Sequence, residues 1–355
     1  MNACVFRRDR EILAGALTVF RAFAALACSL AFGAAPAAAD SVADFYKGKT
    51  VSLIIGYSAG GGADLWARFM ARHLGRHIPG NPTIIVQNMP GGSGLAAVNH
   101  VYNTAPQDGT RIILPSVSVP TAAAMGMPNV RWDTLKFHWL GNLARDAQSC
   151  VASGRSGIKS IADASEREII FGSDGATNTT GQHPRLLATL FGYRLKIITG
   201  YTGTGQIRLA MESGEVEAVC SVWASSLLGP QRADVDSGKL VPIVQMGTKK
   251  HSIFGNAPLI YELTPSKQDL QLMKFVFSPA EISRPLAVGP DTPADRVAAL
   301  RDAFWAMAHS PELKADAARQ QMVIDPMDWK ETEAALRDAL AVPEDVVARA
   351  RDMMK

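Results

Sequence analysis

The chain has 355 residues, with 36 basic and 33 acidic side chains for a formal net charge of +3, and 47% of it is hydrophobic. So balanced a charge excludes a nucleic-acid-binding stripe and a polybasic membrane patch, and the four cysteines show no C-x-x-C spacing of a metal or redox centre. The length suits two domains of ordinary size behind an N-terminal targeting segment.

That segment reads as an export signal. Arg7, Arg8 and Arg10 form a basic start, residues 12–32 are largely apolar, and Ala37-Ala38-Ala39 offers cleavage before Asp40. Arg21 interrupts the apolar run and argues against a permanent anchor. Leu26-Ala27-Cys28 is only weakly like a lipoprotein site, because Ala25 stands where a larger aliphatic is usual. A soluble exported protein, cleaved after Ala39, is expected. Removing residues 1–39 takes away four arginines, one Asp and one Glu, leaving 32 basic and 31 acidic side chains and a net charge of +1. Cys150 and Cys220 remain, flanked by apolar residues. They read more readily as buried thiols, although an oxidising compartment permits a disulfide.

The stretch from Lys49 to Ile78 sets the pattern for the rest. Val51, Leu53, Ile54 and Ile55 predict a buried strand; Gly60, Gly61 and Gly62 follow; then Leu65, Phe69, Met70 and Leu74 recur at helical spacing. A glycine loop opening a helix lets backbone N–H groups approach an anion at the positive end of the helix dipole. The dinucleotide fingerprint fails because Leu65 stands at its third glycine, and the phosphate loop fails because Gly62-Ala63 replaces Lys-Ser/Thr. Gly56-Tyr57-Ser58-Ala59-Gly60 does match the nucleophile elbow of serine hydrolases, so an exported hydrolase using Ser58 is the alternative function. That fold builds strands and an oxyanion loop before its nucleophile, and hardly any mature chain precedes this one.

The pattern then repeats. Thr83 to Val86 predicts a second strand, Asn88-Met89-Pro90-Gly91-Gly92-Ser93-Gly94 a second glycine loop, and Leu95, Val98 and Val101 a helix. Arg111 to Leu114 predicts a third strand ending at Ser116 and Ser118. Alternating strands and helices imply a parallel sheet, with ligands bound outside the carboxyl ends of its strands. Trp139 to Ser153 reads as apolar but irregular, and a second α/β set follows. Its strands are Ile169 to Phe171, Leu195 to Ile198, Val216 to Cys220 and Leu240 to Met246; its loops are Gly172 to Gly181 and Tyr201 to Gly205. Phe275 to Phe277 and Leu286 to Val288 read as strands completing the first sheet. Helices are predicted from Pro293, from Pro311, over Trp329 to Leu340 and from Val346.

Gly60-Gly61-Gly62-Ala63-Asp64 after one strand, Asn88 to Gly94 after the next and Pro106-Gln107-Asp108-Gly109 before a third together resemble the TctC/Bug family. These are the extracytoplasmic solute receptors of tripartite tricarboxylate transporters. The likeness continues through Phe171 to His183, Gly200 to Gly205, Glu212 to Val216 and Gly289-Pro290-Asp291-Thr292-Pro293, across essentially the whole mature chain. The resemblance implies a periplasmic, two-lobed α/β Venus-flytrap binding protein of type II, each lobe a mainly parallel sheet flanked by helices. Lobe 1 would be 40–145 plus 250–355 and lobe 2 146–249, with crossings near Arg145–Val151 and between Met246 and Phe277. It implies a small organic anion held by main-chain N–H groups and hydroxyls, delivered by a monomer to an inner-membrane permease, with no catalysis, cofactor, metal or nucleic acid. Carried over, the ligand residues are Tyr57, Ser58, Ala59, Gly60, Gly61, Gly62, Gly91, Gly92, Ser93 and Gly94, with Ser116 and Ser118 beside them. The facing lobe would supply Ser173, Thr179, Thr180, Tyr201, Gly203, Thr204 and Trp223. Two departures from the family pattern, the long polar loop 174–181 and Gly255 to Leu259 in place of a Pro-Thr segment, suggest a different ligand.

Plainer roles compete for several residues. Asp64 is expected to hold the first helical turn and the loop amides, since a carboxylate aimed at an anion would repel it. His183, before Pro184, reads as a cap or packing residue at a helix start. His73 and His77 have a metal-compatible spacing, but Arg72 and Arg76 beside them point to a solvated helix face. Trp223 is placed in packing or hinge contacts before ligand stacking.

Overall fold

The computed structural model describes residues 41–353 apart from 177, 230, 248, 264 and 265. The export signal and its cleavage point lie outside these residues. A short helix α1 (Val42–Tyr46) leads into β1 (Thr50–Ile55), whose Val51, Leu53, Ile54 and Ile55 are fully buried. After it come α2 (Gly62–Leu74), β2 (Thr83–Asn88), α3 (Leu95–Asn103), β3 (Arg111–Leu114), α4 (Val119–Ala124) and β4 (His138–Asn142). The next set is β5 (Gln148–Ser153), β6 (Ile169–Ser173), α5 (Thr179–Phe191), β7 (Leu195–Thr199), α6 (Thr204–Ser213), β8 (Ala218–Trp223), α7 (Ala224–Leu228), α8 (Arg232–Asp236) and β9 (Leu240–Met246). The chain finishes with α9 (Lys267–Phe277), β10 (Pro285–Val288), α10 (Ala294–His309), α11 (Pro311–Arg319), α12 (Trp329–Leu340) and α13 (Glu344–Met353).

These strands build two sheets of the same plan, in the orders β2-β1-β3-β10-β4 and β7-β6-β8-β5-β9. In each, the first three strands are parallel and the fourth is antiparallel to both its neighbours. The sheets are therefore mixed, and the odd strand of each is exchanged in chain order. β10 joins the first sheet only after the second is built, while β5 enters the second sheet before its parallel strands exist. The chain crosses between sheets at residues 143–147 and 247–284.

Helices cover both faces of each sheet. On the first, Leu53, Phe69, Leu140 and Phe304 share one apolar cluster, and Ile54, Val98, Trp139 and Leu336 share another. On the second, Val151, Ile207, Val219 and Phe254 fill one side. The other side holds Phe171, Leu186 and Cys220 together with Phe275 from α9 and Val347 from α13. Segments 267–277 and 344–353, assigned on sequence to the first lobe, thus pack with the core of the second.

Three readings change. Trp139 to Ser153 holds two strands, β4 and β5, hidden from periodicity because nearly every position is buried on both faces, polar Asn142, Gln148 and Ser149 included. Phe275 to Phe277 is the end of α9, where Leu272, Met273, Phe275 and Val276 form a buried helical stripe. Three apolar residues alone do not separate strand from helix. Cys150 and Cys220 form a disulfide between the neighbouring strands β5 and β8. Closing a loop across a sequence separation of 70 is worth about 4 kcal/mol in the chain-entropy account. Among the described residues, no helix is long and apolar enough to cross a membrane, and no group of three His, Cys, Asp or Glu side chains could hold a metal ion.

Candidate functional site

The carboxyl ends of β1, β2 and β3 bring the first set of predicted residues together. Asp64 organises the loop after β1. Its Oδ2 accepts the Gly60 N–H at 2.9 Å and Arg68 Nε at 2.9 Å, and its Oδ1 accepts Asn88 Nδ2 at 2.9 Å. Burial pushes its pKa up, but these donors together outweigh burial and hold the carboxyl below its ordinary value. Asn88, at the end of β2, also donates to the Tyr57 carbonyl at 3.0 Å, so one side chain ties the two glycine loops to each other. The loops also meet backbone to backbone: a Cβ on Gly56 would lie 2.5 Å from the Cα of Gly94, itself at φ +90°. Gly60, Gly61 and Gly62 stand at the start of α2, where helix geometry leaves the first N–H groups without intrahelical partners.

Tyr57 closes this wall towards β3. Its hydroxyl donates to Ser116 Oγ at 2.8 Å, and Ser116 Oγ lies 3.0 Å from Ser118 Oγ. Burial pushes the phenol up to about 12, with the Ser116 hydrogen bond and the Arg284 charge opposing and Asp174 adding. Asp174 sits on the loop after β6, so the second wall comes within electrostatic reach of the first at Tyr57.

That second wall, at the carboxyl ends of β6, β7 and β8, is made differently. Ser173 Oγ donates to the Gly175 carbonyl at 3.0 Å and lies 3.2 Å from Thr180 Oγ1, and Thr180 also donates to Asp174 Oδ1. Asn178 Nδ2 donates to Asp174 Oδ2 at 2.9 Å. Ser173, Thr179 and Thr180 are buried, so the polar loop satisfies itself. Tyr201 donates to Glu215 Oε1 at 2.7 Å, while Gly203 and Thr204 start α6. Trp223 ends β8, half-buried.

Four residues at this edge, Arg284, Trp66, Gln148 and Asp146, were missed on sequence. Arg284, only 4% exposed, lies immediately before β10 between the indoles of Trp66 and Trp223, its Cζ 5.1 Å and 4.5 Å from their ring centroids. Gln148 begins β5 and is the register partner of Trp223. Asp146, in the crossing between β4 and β5, accepts the N–H of Ala147 at 2.9 Å and the hydroxyl and N–H of Ser225. The one sequence signal was a lone arginine in the apolar run 282–288.

The remaining candidates take structural roles. His183 lies inside α5, not at its start, buried with Nδ1 3.1 Å from Ser221 Oγ and its ring edge on Phe277. His73 is buried rather than solvated: its Nε2 is 2.9 Å from Asp316 Oδ2, and that hydrogen bond is the main reason Asp316 titrates far below the usual carboxylate range. Among the described residues no histidine hydrogen-bonds Ser58. Surface hollows beside Arg208 and Lys239, and beside Arg72 and Arg319, are lined by charges already paired with Glu212, Asp234 and Asp316, and neither is lined by residues from the carboxyl ends of the parallel strands.

No family model matches the sequence. The chain is 29% identical over 246 residues, 67% of its length and 71% of the relative's, to the UPF0065 protein in the gbd 5′ region of Cupriavidus necator. It superposes on the periplasmic binding protein BugD with a TM-score of 0.68 at 16% identity, covering 87% of this chain and 98% of BugD. For MatC from Rhodopseudomonas palustris with bound malate the TM-score is 0.64 at 17% identity, covering 86% and 99%. The chain thus has the two-domain α/β fold of type II periplasmic binding proteins and is distantly related to proteins of the TctC/Bug kind.

Proposed function

We propose that this protein is a periplasmic receptor of the TctC/Bug family. It captures a small organic carboxylate between two lobes and delivers it to an inner-membrane permease of the tripartite tricarboxylate type. The observation that carries this reading is the pair of sheets with one plan, whose strand ends meet at Arg284, flanked by Trp66 of α2 and Trp223 of β8. The malate bound by MatC, a structure of the same fold, supports a carboxylate as the ligand. The first glycine loop offers free N–H groups at the positive end of α2, with its own carboxylate, Asp64, turned to loop and helix donors. Charge-assisted hydrogen bonds contribute roughly 1.5–3 kcal/mol each, so a few reach the about 8 kcal/mol of micromolar binding after ordering costs.

The two crossings at residues 143–147 and 247–284 are the natural hinge between lobes. Native mass spectrometry of the protein recovered from the cell envelope tests the reading. It should show a chain beginning at Asp40 with a small acid bound in one-to-one ratio, and solution scattering should show compaction when that acid is restored. Covalent capture of Ser58 by an activated phosphonate, with turnover, would replace this reading by the hydrolase.

A further inference from the structure

The exchanged strands carry a second consequence. Because β10 runs antiparallel to β3, with Ala287 opposite Ile113, its first residues lie at the carboxyl end of β3, near Ser116. Because β5 runs antiparallel to β8, Gln148 lies opposite Trp223 at the carboxyl end of β8. The same topological device therefore delivers one polar side chain to the cleft from each sheet: Arg284 and Gln148. Both are buried, at 4% and 0% exposure, and both are short of partners. Arg284 Nε has none, nor has Gln148 Oε1 or Nε2. Leaving such atoms unpaired costs about 1–3 kcal/mol each, more for a charge, which a purely structural site would avoid.

The guanidinium has one direction left. The indoles of Trp66 and Trp223 flank it, and Nη1 donates to the Ser283 carbonyl at 2.6 Å. The Nε–Nη2 edge remains, and that edge takes a carboxylate side-on, as Arg145 does with both oxygens of Asp325 at 2.8 Å. Asp146 acts on Arg284 through its charge, but its oxygens are held by Ser225 and Ala147 rather than by the guanidinium.

We propose that the Nε–Nη2 edge of Arg284, held between Trp66 and Trp223 with the Gln148 amide beside it, is the anchor for a carboxylate of the ligand. The amides of Gly61 and Gly62 at the start of α2 then receive the ligand's other polar end. This rests on the solute-binding reading above and replaces the expectation that mainly uncharged groups hold the anion. A planar carboxylate fits the side-on edge; a sulfonate presents its oxygens out of that plane, and a primary amide places a donor against a donor. Since Trp223 ends a strand of the second sheet and Trp66 lies on α2, which packs with the first, ligand at Arg284 is sensed from both lobes.

The test is titration calorimetry of wild type and variants against malate, adipate and benzoate, with malonamide, benzamide and methanesulfonate as controls. Wild type should bind at least one carboxylate and none of the controls comparably. Arg284→Met should lose at least 100-fold, Arg284→Lys about 10-fold because a point charge cannot bind side-on, and Gln148→Leu about 5-fold. The apo melting temperature of Arg284→Met should change little, because Asp146, whose charge faces the guanidinium, keeps its Ser225 and Ala147 partners; a drop of several degrees would mark a structural arginine. If Arg284→Met does not fold, the Arg284→Lys and Gln148→Leu affinities decide. Full affinity in these variants overturns the anchor while leaving the solute-binding reading intact. A wild type that binds no carboxylate overturns both.

Discussion

The strand-end walls of the two sheets use the same strand plan and opposite chemistry. At the first sheet, side chains leave the backbone open: Asp64 and Asn88 tie down the rims of the glycine loops, and the N–H groups starting α2 have no intrahelical partner and no side-chain cap at Gly61. At the second sheet, hydroxyls are abundant but spent, because Ser173, Asp174, Asn178 and Thr180 bond one another. Hydroxyl-rich composition therefore does not make a binding surface. What counts is whether the loop has satisfied itself before a ligand arrives. The first wall should govern affinity and the second the shape and stability of the cleft.

The sharpest way to break that contrast is Gly61→Val. Gly61 has φ −83°, and an added Cβ would meet only the Ser58 carbonyl at 3.9 Å, so the apo melt should hardly move. The side chain would nevertheless stand where an anion approaches the loop amides. Binding should fall at least about 100-fold, or ~2.7 kcal/mol. Undiminished affinity would place the anion elsewhere. Gly56→Ala, one loop turn away, should do the reverse. Its Cβ would lie 2.5 Å from Gly94 Cα, and forcing the two loops apart should cost about 1–3 kcal/mol in chemical denaturation. A variant as stable as wild type would show that the loops are not locked together.

At the second wall, Thr180→Val keeps the shape of the side chain and removes the hydroxyl that bonds Asp174 and Ser173. The orphaned Asp174 oxygen should cost about 1–2 kcal/mol of stability, with affinity changed less than 3-fold. Loss of affinity without loss of stability would reverse the assignment of roles.

How much of this was legible follows from how local each feature is. The strand β1, its glycine loop and the amphipathic α2 sit in thirty consecutive residues, so period and turn chemistry reveal them, and Asp64 follows from helix electrostatics. β4 and β5 were invisible because burial on both faces removes alternation, and polar Asn142 and Gln148 break the apolar run. The exchange of β5 and β10 is a pairing between residues far apart, which local pattern cannot carry. Arg284 was missed for the same reason: its partners Trp66 and Trp223 come from distant segments, and one arginine makes no motif. The disulfide likewise depends on which strands become neighbours.

The smallest effect distinguishes the walls by pH. His183 pins α5 against β8 and α9 in the second lobe, accepting or donating a hydrogen bond to Ser221 and packing on Phe277. Burial alone drops its pKa from 6.5 to about 3. A folded value below the unfolded one means the unfolded chain binds the extra proton between those limits. The stability is fully present above pH 6.5, declines as pH falls, and stops declining near pH 3. Each unit in that window costs at most about 1.4 kcal/mol, so at pH 5.5 the loss from this group is about 1 kcal/mol. Asp146 and Asp174, whose pKa values burial raises, act in the opposite sense. The comparison must therefore be between proteins that differ only at 183. His183→Gln keeps a partner for Ser221 and removes the titration. Between pH 7 and 5.5 wild type should lose about 1 kcal/mol more in urea denaturation than the variant does. Equal losses would mean that the imidazole protonates in place, and that the second wall is softer there than its packing indicates.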